Sequence, residues 1–335
     1  GYSALTANTT GGANVAVGSL ALDANTTASS NTAVGYSAMT VTTTGADNSA
    51  FGRGALLDNT TGASNTAVGL LALENNTTAS NNTAVGRSAL AANTTGASNV
   101  ALGTSSLGSN TTASNNTAVG FSALSLNTTA SGNVAVGYLA MQDSTTAANA
   151  TAVGYEALAN NTTSNGNHAF GFRALKTCTS GASNVAVGGS ALDAVTTGSN
   201  NVAVGSSAGG AITTGIRNVC IGESAGDHSP PLTTGNYNVV IGAYAEPTTA
   251  DAQFAIAIGY DVSGAGGYTT VGQQTNDIRA AHGTATWATV SDQRYKKDIV
   301  DSTTGLSFIN ALQPRTFKYK TLSELPETFS AYEAD

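Results

Sequence analysis

The sequence predicts an all-β protein in which a 17-residue unit repeats as the coils of a parallel β-solenoid or β-roll. Three observations predict this class. Glycines recur at an unbroken spacing of 17 residues, and turn-forming Asn, Thr and Gly separate two apolar pairs in every unit. The same β-branched and turn-forming residues interrupt each apolar stripe that could form an amphipathic helix. A unit this short buries its apolar face only by stacking on its neighbours.

The glycine spacing defines the unit and its numbering. Counted from its glycine, the unit reads G-x-x-A-L-x-x-N-T-T-x-x-x-N-[TV]-A-V, with Thr ninth in all 13 units and Asn fourteenth in all except the one holding Ala150. The glycines are Gly1, Gly18, Gly35, Gly52, Gly69, Gly86, Gly103, Gly120, Gly137, Gly154, Gly171, Gly188, Gly205 and Gly222.

Each unit is predicted to contain two short strands and two turns, one strand at the Ala-Leu pair and one at the Ala-Val pair. At about 4.8 Å per coil, 13 coils would form a rod of roughly 60 Å. Successive side chains of a strand point to opposite faces, so each apolar pair predicts a strand covered on both sides. The coil interior covers one side, and a second copy of the chain is expected to cover the other. The alternative is a monomer in which both residues face inward at a corner.

Composition excludes several classes of function. The net charge is −8 and the 12 Lys and Arg residues are scattered, which argues against nucleic-acid binding. No apolar run approaches the roughly 18 residues of a membrane-spanning helix, so no membrane insertion is expected. Cys178 and Cys220 occupy different repeat positions and are interpreted as tolerated substitutions, and neither a metal site nor a cofactor is expected.

Asparagine and threonine dominate the predicted surface. The repeated Asn-Thr-Thr forms N-x-T sequons, interpreted as turn asparagines with glycosylation as the alternative. The repeated Thr also resembles the threonine rows of ice-binding solenoids, although a Thr-Thr pair turns only one of its two hydroxyls outward. The asparagines that precede Thr-Thr are Asn8, Asn25, Asn59, Asn76, Asn93, Asn110, Asn127 and Asn161.

The period breaks near residue 222. Gly242 follows Gly222 after 20 residues, with Pro230 and Pro231 between them, and Gly259 restores the spacing of 17. We therefore divide the chain into regular repeats (1–222), irregular last coils (223–259), a connector (260–290) and a C-terminal module (291–335).

Arrays of the type N-T-A-V-G-x-S-A-L resemble the parallel β-rolls of trimeric autotransporter adhesin heads and the repeats of bacteriophage tail-fibre proteins. The resemblance covers about residues 1–260. It implies a homotrimer on a virion or at a cell surface. It also implies a host cell-surface receptor as partner, for which a glycan is one candidate.

The C-terminal module has a different composition. Five of the eight residues 291–298 are charged, in a chain with 10% charged residues overall. Downstream, Leu306, Ile309 and Leu312 have helical spacing, and the helix is predicted to stop at Pro314. The alternation in "RTFKYK" then predicts an amphipathic strand, so this module is expected to be α+β.

The order "SDQRYKKDI", short helix, "LQPRTFKYK" resembles the start of the endosialidase-type intramolecular chaperone domain of phage tail fibres and tailspikes. The match covers about residues 291–320, so residues 291–335 correspond to the N-terminal part of that domain. The resemblance implies trimerisation followed by one self-cleavage between Val290 and Ser291. Ser291 would be the nucleophile, assisted by Lys296, and Asp292 is a candidate for positioning the bond. Without the surrounding module, Ser291 and Lys296 would be interpreted as an ordinary solvated turn.

These patterns predict a structural and adhesive protein, a trimeric phage tail fibre for host attachment with a self-cleaving chaperone. The alternatives are a bacterial surface adhesin head and an ice-binding solenoid. A polysaccharide-cleaving enzyme is disfavoured because the seven acidic residues among the first 221 are isolated and form no repeated pair.

Overall fold

The computed structural model describes residues 1–284 and the backbone of residues 288–289. The chain divides into two units, residues 1–290 and 291–335. The second unit lies outside the described residues. The predicted helix at Leu306, Ile309 and Leu312, the strand that follows it and the predicted α+β module therefore all lie outside the described part.

The described chain confirms an all-β parallel solenoid with a 17-residue repeat. Strands β1 to β14 and β16 follow one another in parallel, and in the regular coils each residue pairs with the residue 17 positions later, as Val100 does with Thr117. The strands are β1 (Val15–Val17), β2 (Thr32–Val34), β3 (Ser49–Phe51), β4 (Thr66–Val68), β5 (Thr83–Val85), β6 (Val100–Leu102), β7 (Thr117–Val119), β8 (Val134–Val136), β9 (Thr151–Val153), β10 (His168–Phe170), β11 (Val185–Val187), β12 (Val202–Val204), β13 (Val219–Ile221), β14 (Val239–Ile241), β15 (Glu246–Pro247), β16 (Ile256–Tyr260), β17 (Ser263–Gly264), β18 (Tyr268–Gln273), β19 (Asn276–Ala281) and β20 (Ala288–Thr289).

The coil stack ends in an antiparallel meander. Strand β16 still pairs in parallel with β18, but β18 pairs antiparallel with β19, and β19 pairs antiparallel with β20. Strands β15 and β17 form a separate two-stranded parallel sheet at the Ala-Leu position of the last coils. The solenoid therefore changes its strand pairing where the sequence loses its period.

The prediction of two strands in each regular coil is wrong, because the Ala-Leu pair lies in a turn. In one coil, Ser122 and Leu124 have φ angles of 49° and 53°, and this left-handed conformation recurs at the same two positions throughout the regular coils. A left-handed residue breaks the alternation of an extended strand. Ala123 and Leu124 are consequently both buried inside the coil. For this pair, the alternative in which both residues face inward at a corner is therefore correct.

The buried leucines explain why this backbone conformation is tolerated. A left-handed φ costs a non-glycine residue about 1–2 kcal/mol, whereas burying a leucine side chain contributes about 1.5–3 kcal/mol. The side chains form one column along the solenoid axis, and each is fully buried. The column consists of Leu22, Met39, Leu56, Leu73, Leu90, Leu107, Leu124, Met141, Leu158, Leu175 and Leu192.

Two ladders of buried asparagines run beside the leucine column. At the fourteenth position, Asn99 donates from Nδ2 to the Ala113 carbonyl at 2.9 Å and accepts at Oδ1 from the Asn116 N–H at 3.0 Å. At the eighth position, Asn93 donates to Asn76 Oδ1 at 2.9 Å and to the carbonyl of Gly96 at 2.9 Å. Each side chain thus links its coil to a neighbour.

The ladder geometry decides how the sequons are interpreted. Of the eight asparagines that precede Thr-Thr, all except Asn8 are fully buried, and Asn8 is half-buried in the first coil. A glycan on a buried side chain is incompatible with the folded coil, which leaves the turn interpretation for the buried asparagines before Thr-Thr. Where Thr42 and Ser144 replace an eighth-position asparagine, Asn25 Oδ1 and Asn127 Oδ1 have no hydrogen-bond partner. Those two breaks show that the ladder depends on asparagine in successive coils.

The repeat glycines are required by close contact between coils. Gly188 has a φ of 134°, and a Cβ there would lie 2.3 Å from the Gly205 carbonyl oxygen of the next coil. Its neighbour Gly189 would place a Cβ in open space.

We predict that Gly188→Ala lowers the free energy of unfolding by about 3 kcal/mol or more, because the backbone of the next coil must move. Gly189→Ala, the adjacent control, should change it by less than about 0.5 kcal/mol. Urea unfolding followed by circular dichroism measures both midpoints. Equal midpoints for the two variants would contradict the close-contact explanation.

We also predict that Leu124→Ala costs about 2–5 kcal/mol, because it opens a cavity in the leucine column. Leu126 lies in the same coil but is 45% exposed, so Leu126→Ala should cost less than about 1 kcal/mol. The same urea titration compares the two, and a larger loss for Leu126→Ala would refute the inward orientation of Leu124.

Candidate functional site

The strands present an outward face without Lys, Arg, Asp or Glu. The side chains at the fifteenth and seventeenth repeat positions point away from the coil, while the alanine between them is buried in nearly every coil, as Ala118 is in β7. We call the seventeenth-position residues together with their fifteenth-position neighbours the outer strip. Its seventeenth-position residues are Val17, Val34, Phe51, Val68, Val85, Leu102, Val119, Val136, Val153, Phe170, Val187, Val204, Ile221, Ile241 and Ile258. Its fifteenth-position residues are Val15, Thr32, Ser49, Thr66, Thr83, Val100, Thr117, Val134, Thr151, His168, Val185, Val202, Val219, Val239 and Ile256.

The outer strip is long and apolar on its seventeenth-position side. At about 4.8 Å per strand, 15 strands in register extend it over roughly 67 Å. Phe170 is 41% exposed and Val187 39% exposed in adjacent coils, and every other residue of that row is also apolar and at least partly exposed. Contiguous apolar surface of this kind is typical of an interaction surface, whereas isolated exposed residues are not. The sequence predicted an outward apolar face for the Ala-Val pair, and the structure places one there.

A second outward feature is a stack of four aromatic rings at the second repeat position, which we call the aromatic stack. Phe121, Tyr138, Tyr155 and Phe172 have successive ring centroids 5.4, 5.2 and 5.4 Å apart, with interplanar angles of 14°, 10° and 15°. Each inner ring therefore has both faces covered by its neighbours. The stack presents ring edges to the solvent.

One end of the aromatic stack adjoins a small charged cluster. Arg173 Nε lies 3.0 Å and Lys176 Nζ 2.6 Å from Glu156 Oε2, and the Arg173 guanidinium lies over the Phe172 ring at 5.0 Å. The hydrogen bond from Lys176 is the largest cause of a lowered pKa for the Glu156 carboxyl. Exposed pairs of this kind contribute about 0–1 kcal/mol, and we assign the cluster to the surface of the stack.

The repeated Thr-Thr pairs divide between structure and surface. The ninth-position hydroxyl donates to the next coil, as Thr94 Oγ1 does to the Thr111 carbonyl at 3.0 Å. The tenth-position threonines, which include Thr95 and Thr112, are exposed. One hydroxyl of each pair therefore forms an outward threonine row, and the other belongs to the coil-to-coil bonding.

The two cysteines lie inside the coils. Burial raises the pKa of the Cys178 thiol to about 11 and that of the Cys220 thiol to about 12. Neither forms a disulfide in the described chain. Thiols with such pKa values carry little thiolate near neutral pH and are poor nucleophiles.

Within residues 1–284, no group of three or more His, Cys, Asp and Glu side chains is arranged to hold a metal ion. A search of the described residues for a helix long and apolar enough to cross a membrane found none.

The predicted cleavage residues lie outside the described part. Val290, Ser291, Asp292 and Lys296 are not among the described residues, so the pairing of Ser291 with Lys296 stays a prediction from the sequence resemblance.

The 20-residue coil carries a cavity that was not predicted from the sequence. His228, Tyr244, Tyr260 and Asp261 line it, and they come from three successive coils. Two signals could have located it. The spacing of 20 residues after Gly222 adds three residues at a corner, and Glu246 stands where the regular coils have the buried leucine.

Comparison with known proteins identifies the C-terminal segment. Residues 291–331 match the Peptidase_S74 family, described as chaperone of endosialidase. No curated protein and no solved structure matches the chain. The matched segment lies directly after the β-solenoid of about 15 turns. Together, the solenoid and the matched segment fit a phage tail-fibre-like protein with an endosialidase-type chaperone domain.

Proposed function

We propose that the chain forms a homotrimeric phage tail fibre, in which the solenoid is the persistent shaft that attaches to a host-surface receptor. The observation that carries the proposal is the chaperone match at residues 291–331 directly after a slender solenoid with an uncovered apolar face. The family implies trimerisation, so two further copies of this chain are the natural cover for the outer strip.

The composition of the outer strip supports burial against another copy. None of its 30 positions holds Lys, Arg, Asp or Glu, although the chain as a whole is 10% charged. If these side chains only faced solvent, charged residues would be expected at some positions of the two rows. The two rows instead lack charged residues over all 15 coils. Interface centres are depleted of charged residues because a desolvated charge without a partner is costly.

The chaperone segment supports a single cut between Val290 and Ser291. In the proposed route, the Ser291 hydroxyl attacks the Val290 carbonyl carbon, and the Val290–Ser291 amide becomes an ester to Ser291 Oγ with release of the Ser291 amine. Water then hydrolyses the ester, which leaves Val290 with a carboxylate and Ser291 with a free hydroxyl. Lys296, when neutral, would accept the hydroxyl proton, and Asp292 would position the bond.

The threonine row favours one function of a different class, ice binding. Its hydroxyls are exposed at one position in each regular coil, spaced by the coil rise of about 4.8 Å. Thermal hysteresis in a dilute solution of the protein tests this function directly. The chaperone match supports the fibre over ice binding and over a bacterial adhesin head, the remaining alternative.

We predict that native mass spectrometry finds assemblies of three copies, either of the intact 33.0 kDa chain or of its cleavage product ending at Val290. Lysines in the outer strip, introduced together as Leu102→Lys and Val187→Lys, should weaken the trimer at least tenfold because they bury unpaired charge. The matched control carries Thr112→Lys and Thr197→Lys in the threonine row and should remain trimeric. A monomeric parent chain, or a trimer indifferent to the strip lysines, would refute the proposed interface.

We predict that the purified chain yields a fragment ending at Val290, and that Ser291→Ala abolishes it while Lys296→Met slows its formation at least tenfold. The control Ser302→Ala should leave cleavage unchanged. Intact-mass measurement over time follows fragment formation in the parent chain and in the three variants. Cleavage that survives in Ser291→Ala would exclude Ser291 as the nucleophile.

A further inference from the structure

A cavity lies beside the corner of the 20-residue coil. The extra residues extend the corner around His228 to Pro231, and the cavity beside them has a volume of about 330 Å³. His228 comes from this coil, Tyr244 from the next, and Tyr260 and Asp261 from the one after. We call it the insertion cavity. Its volume lies at the lower end of the range for small-ligand pockets, about 300–1,000 Å³.

The rings of the insertion cavity are arranged differently from those of the aromatic stack. Tyr244 and Tyr260 have centroids 6.0 Å apart and an interplanar angle of 88°, and His228 meets Tyr244 at 5.6 Å and 63°. Edge-to-face rings do not cover one another completely, so ring face remains available to a ligand. Tyr260 is 48% exposed. Ring faces carry partial negative charge and attract the C–H groups of a ligand with a partly apolar face.

Polar groups surround these ring faces. The Tyr244 hydroxyl donates to Glu223 Oε1 at 3.1 Å, which fixes the orientation of the ring. Among the described residues, neither the Asp261 carboxylate nor the Tyr260 hydroxyl has a side-chain hydrogen bond, and both belong to residues that line the cavity. They are available to a ligand that brings hydroxyl groups.

A buried carboxylate lies behind the corner that carries His228. Glu246 is 6% exposed, and its Oε2 atom lies 3.3 Å from His228 Nδ1. Ser263 Oγ donates to Glu246 Oε1 at 3.2 Å. Burial raises the pKa of the Glu246 carboxyl, and His228 opposes that shift. The imidazole at the edge of the cavity therefore lies next to a carboxylate that occupies the position of the core leucine.

The charge of the cavity selects against anionic ligands. Glu223, Glu246 and Asp261 lie in or beside it, and within the part of the chain that the structure describes no Lys or Arg lines it. A carboxylated or phosphorylated sugar would meet like charge in a partly desolvated site. An uncharged ligand with hydroxyl groups on its rim and C–H groups on one face fits both the carboxylate acceptors and the open ring faces.

We propose that the insertion cavity is a binding subsite for an uncharged hexose unit of a surface glycan. The sugar's C–H face packs on Tyr260, and its hydroxyls donate to Asp261. This site rests on the proposed attachment function and names a part of its receptor. None of its lining residues belongs to the outer strip or to the chaperone segment, so it can fail while the fibre stands.

The test is saturation-transfer NMR on the full chain with millimolar methyl β-glucoside, methyl β-galactoside and N-acetylglucosamine, and with glucuronate as the anionic comparator. We expect at least one neutral sugar to bind and glucuronate to bind at least tenfold more weakly. Tyr260→Ala should weaken the neutral sugar at least tenfold, and Tyr260→Phe should retain most of the binding. Asp261 has a left-handed φ of 50°, which asparagine tolerates, so Asp261→Asn tests the acceptor without straining the backbone.

Tyr138→Ala, in the aromatic stack, is the control and should not change binding. Absence of saturation transfer from all three neutral sugars, equal binding by Tyr260→Ala, or tighter binding of glucuronate would each overturn the subsite. Native mass spectra of the same samples report the trimer independently. A trimer without sugar binding rejects this cavity alone, whereas a monomer rejects the fibre even if sugar binds.

Discussion

The contact between successive backbones at the glycine column constrains the rest of the solenoid. With the next carbonyl oxygen 2.3 Å from where a Cβ of Gly188 would lie, only a hydrogen atom fits on that side of the chain. The same approach recurs at each regular repeat glycine, with φ between 128° and 145° from Gly18 to Gly222. The strands can therefore keep one register and one spacing over the whole stack. The ladders, the leucine column and the outer strip all depend on that common register, because each is a line of equivalent side chains.

The interior shows how a coil of 17 residues satisfies its polar groups. A coil this short has more corners than strands, and corners leave backbone groups without ladder partners. The asparagine side chains are the partners of these backbone groups. Asn99, for example, bonds the carbonyl of Ala113 and the N–H of Asn116. The ninth-position threonines add a bond from each side-chain hydroxyl to the next coil. Polar side chains inside the coil thus take over the hydrogen bonding that continuous strands would provide.

The sequence determined more of the solenoid than of its sites. The period, the turn asparagines and the outward side of the Ala-Val pair follow from spacing alone. The inward Leu124 does not, because alternation rules assume an extended backbone and its φ is left-handed. The insertion cavity was not predicted from the sequence, because its lining residues come from three coils and only the fold brings them together. The cleavage roles of Ser291 and Lys296 were predicted from a resemblance. The family match at residues 291–331 supports the resemblance of the segment that contains them but does not test the geometry of the pair.

The three-residue insertion at His228 enters at a corner, and β13 and β14 keep their register across it, with Val219 paired to Val239. The coils can therefore differ in the length of a corner, while the strands keep the same register and spacing along the solenoid axis. A gain or loss of one whole unit would change the rod by about 4.8 Å and disturb only the two coils at the junction. Repetition makes the chain a molecular ruler, whose length can be reset by exchange between near-identical segments and whose corners can diversify independently of that length.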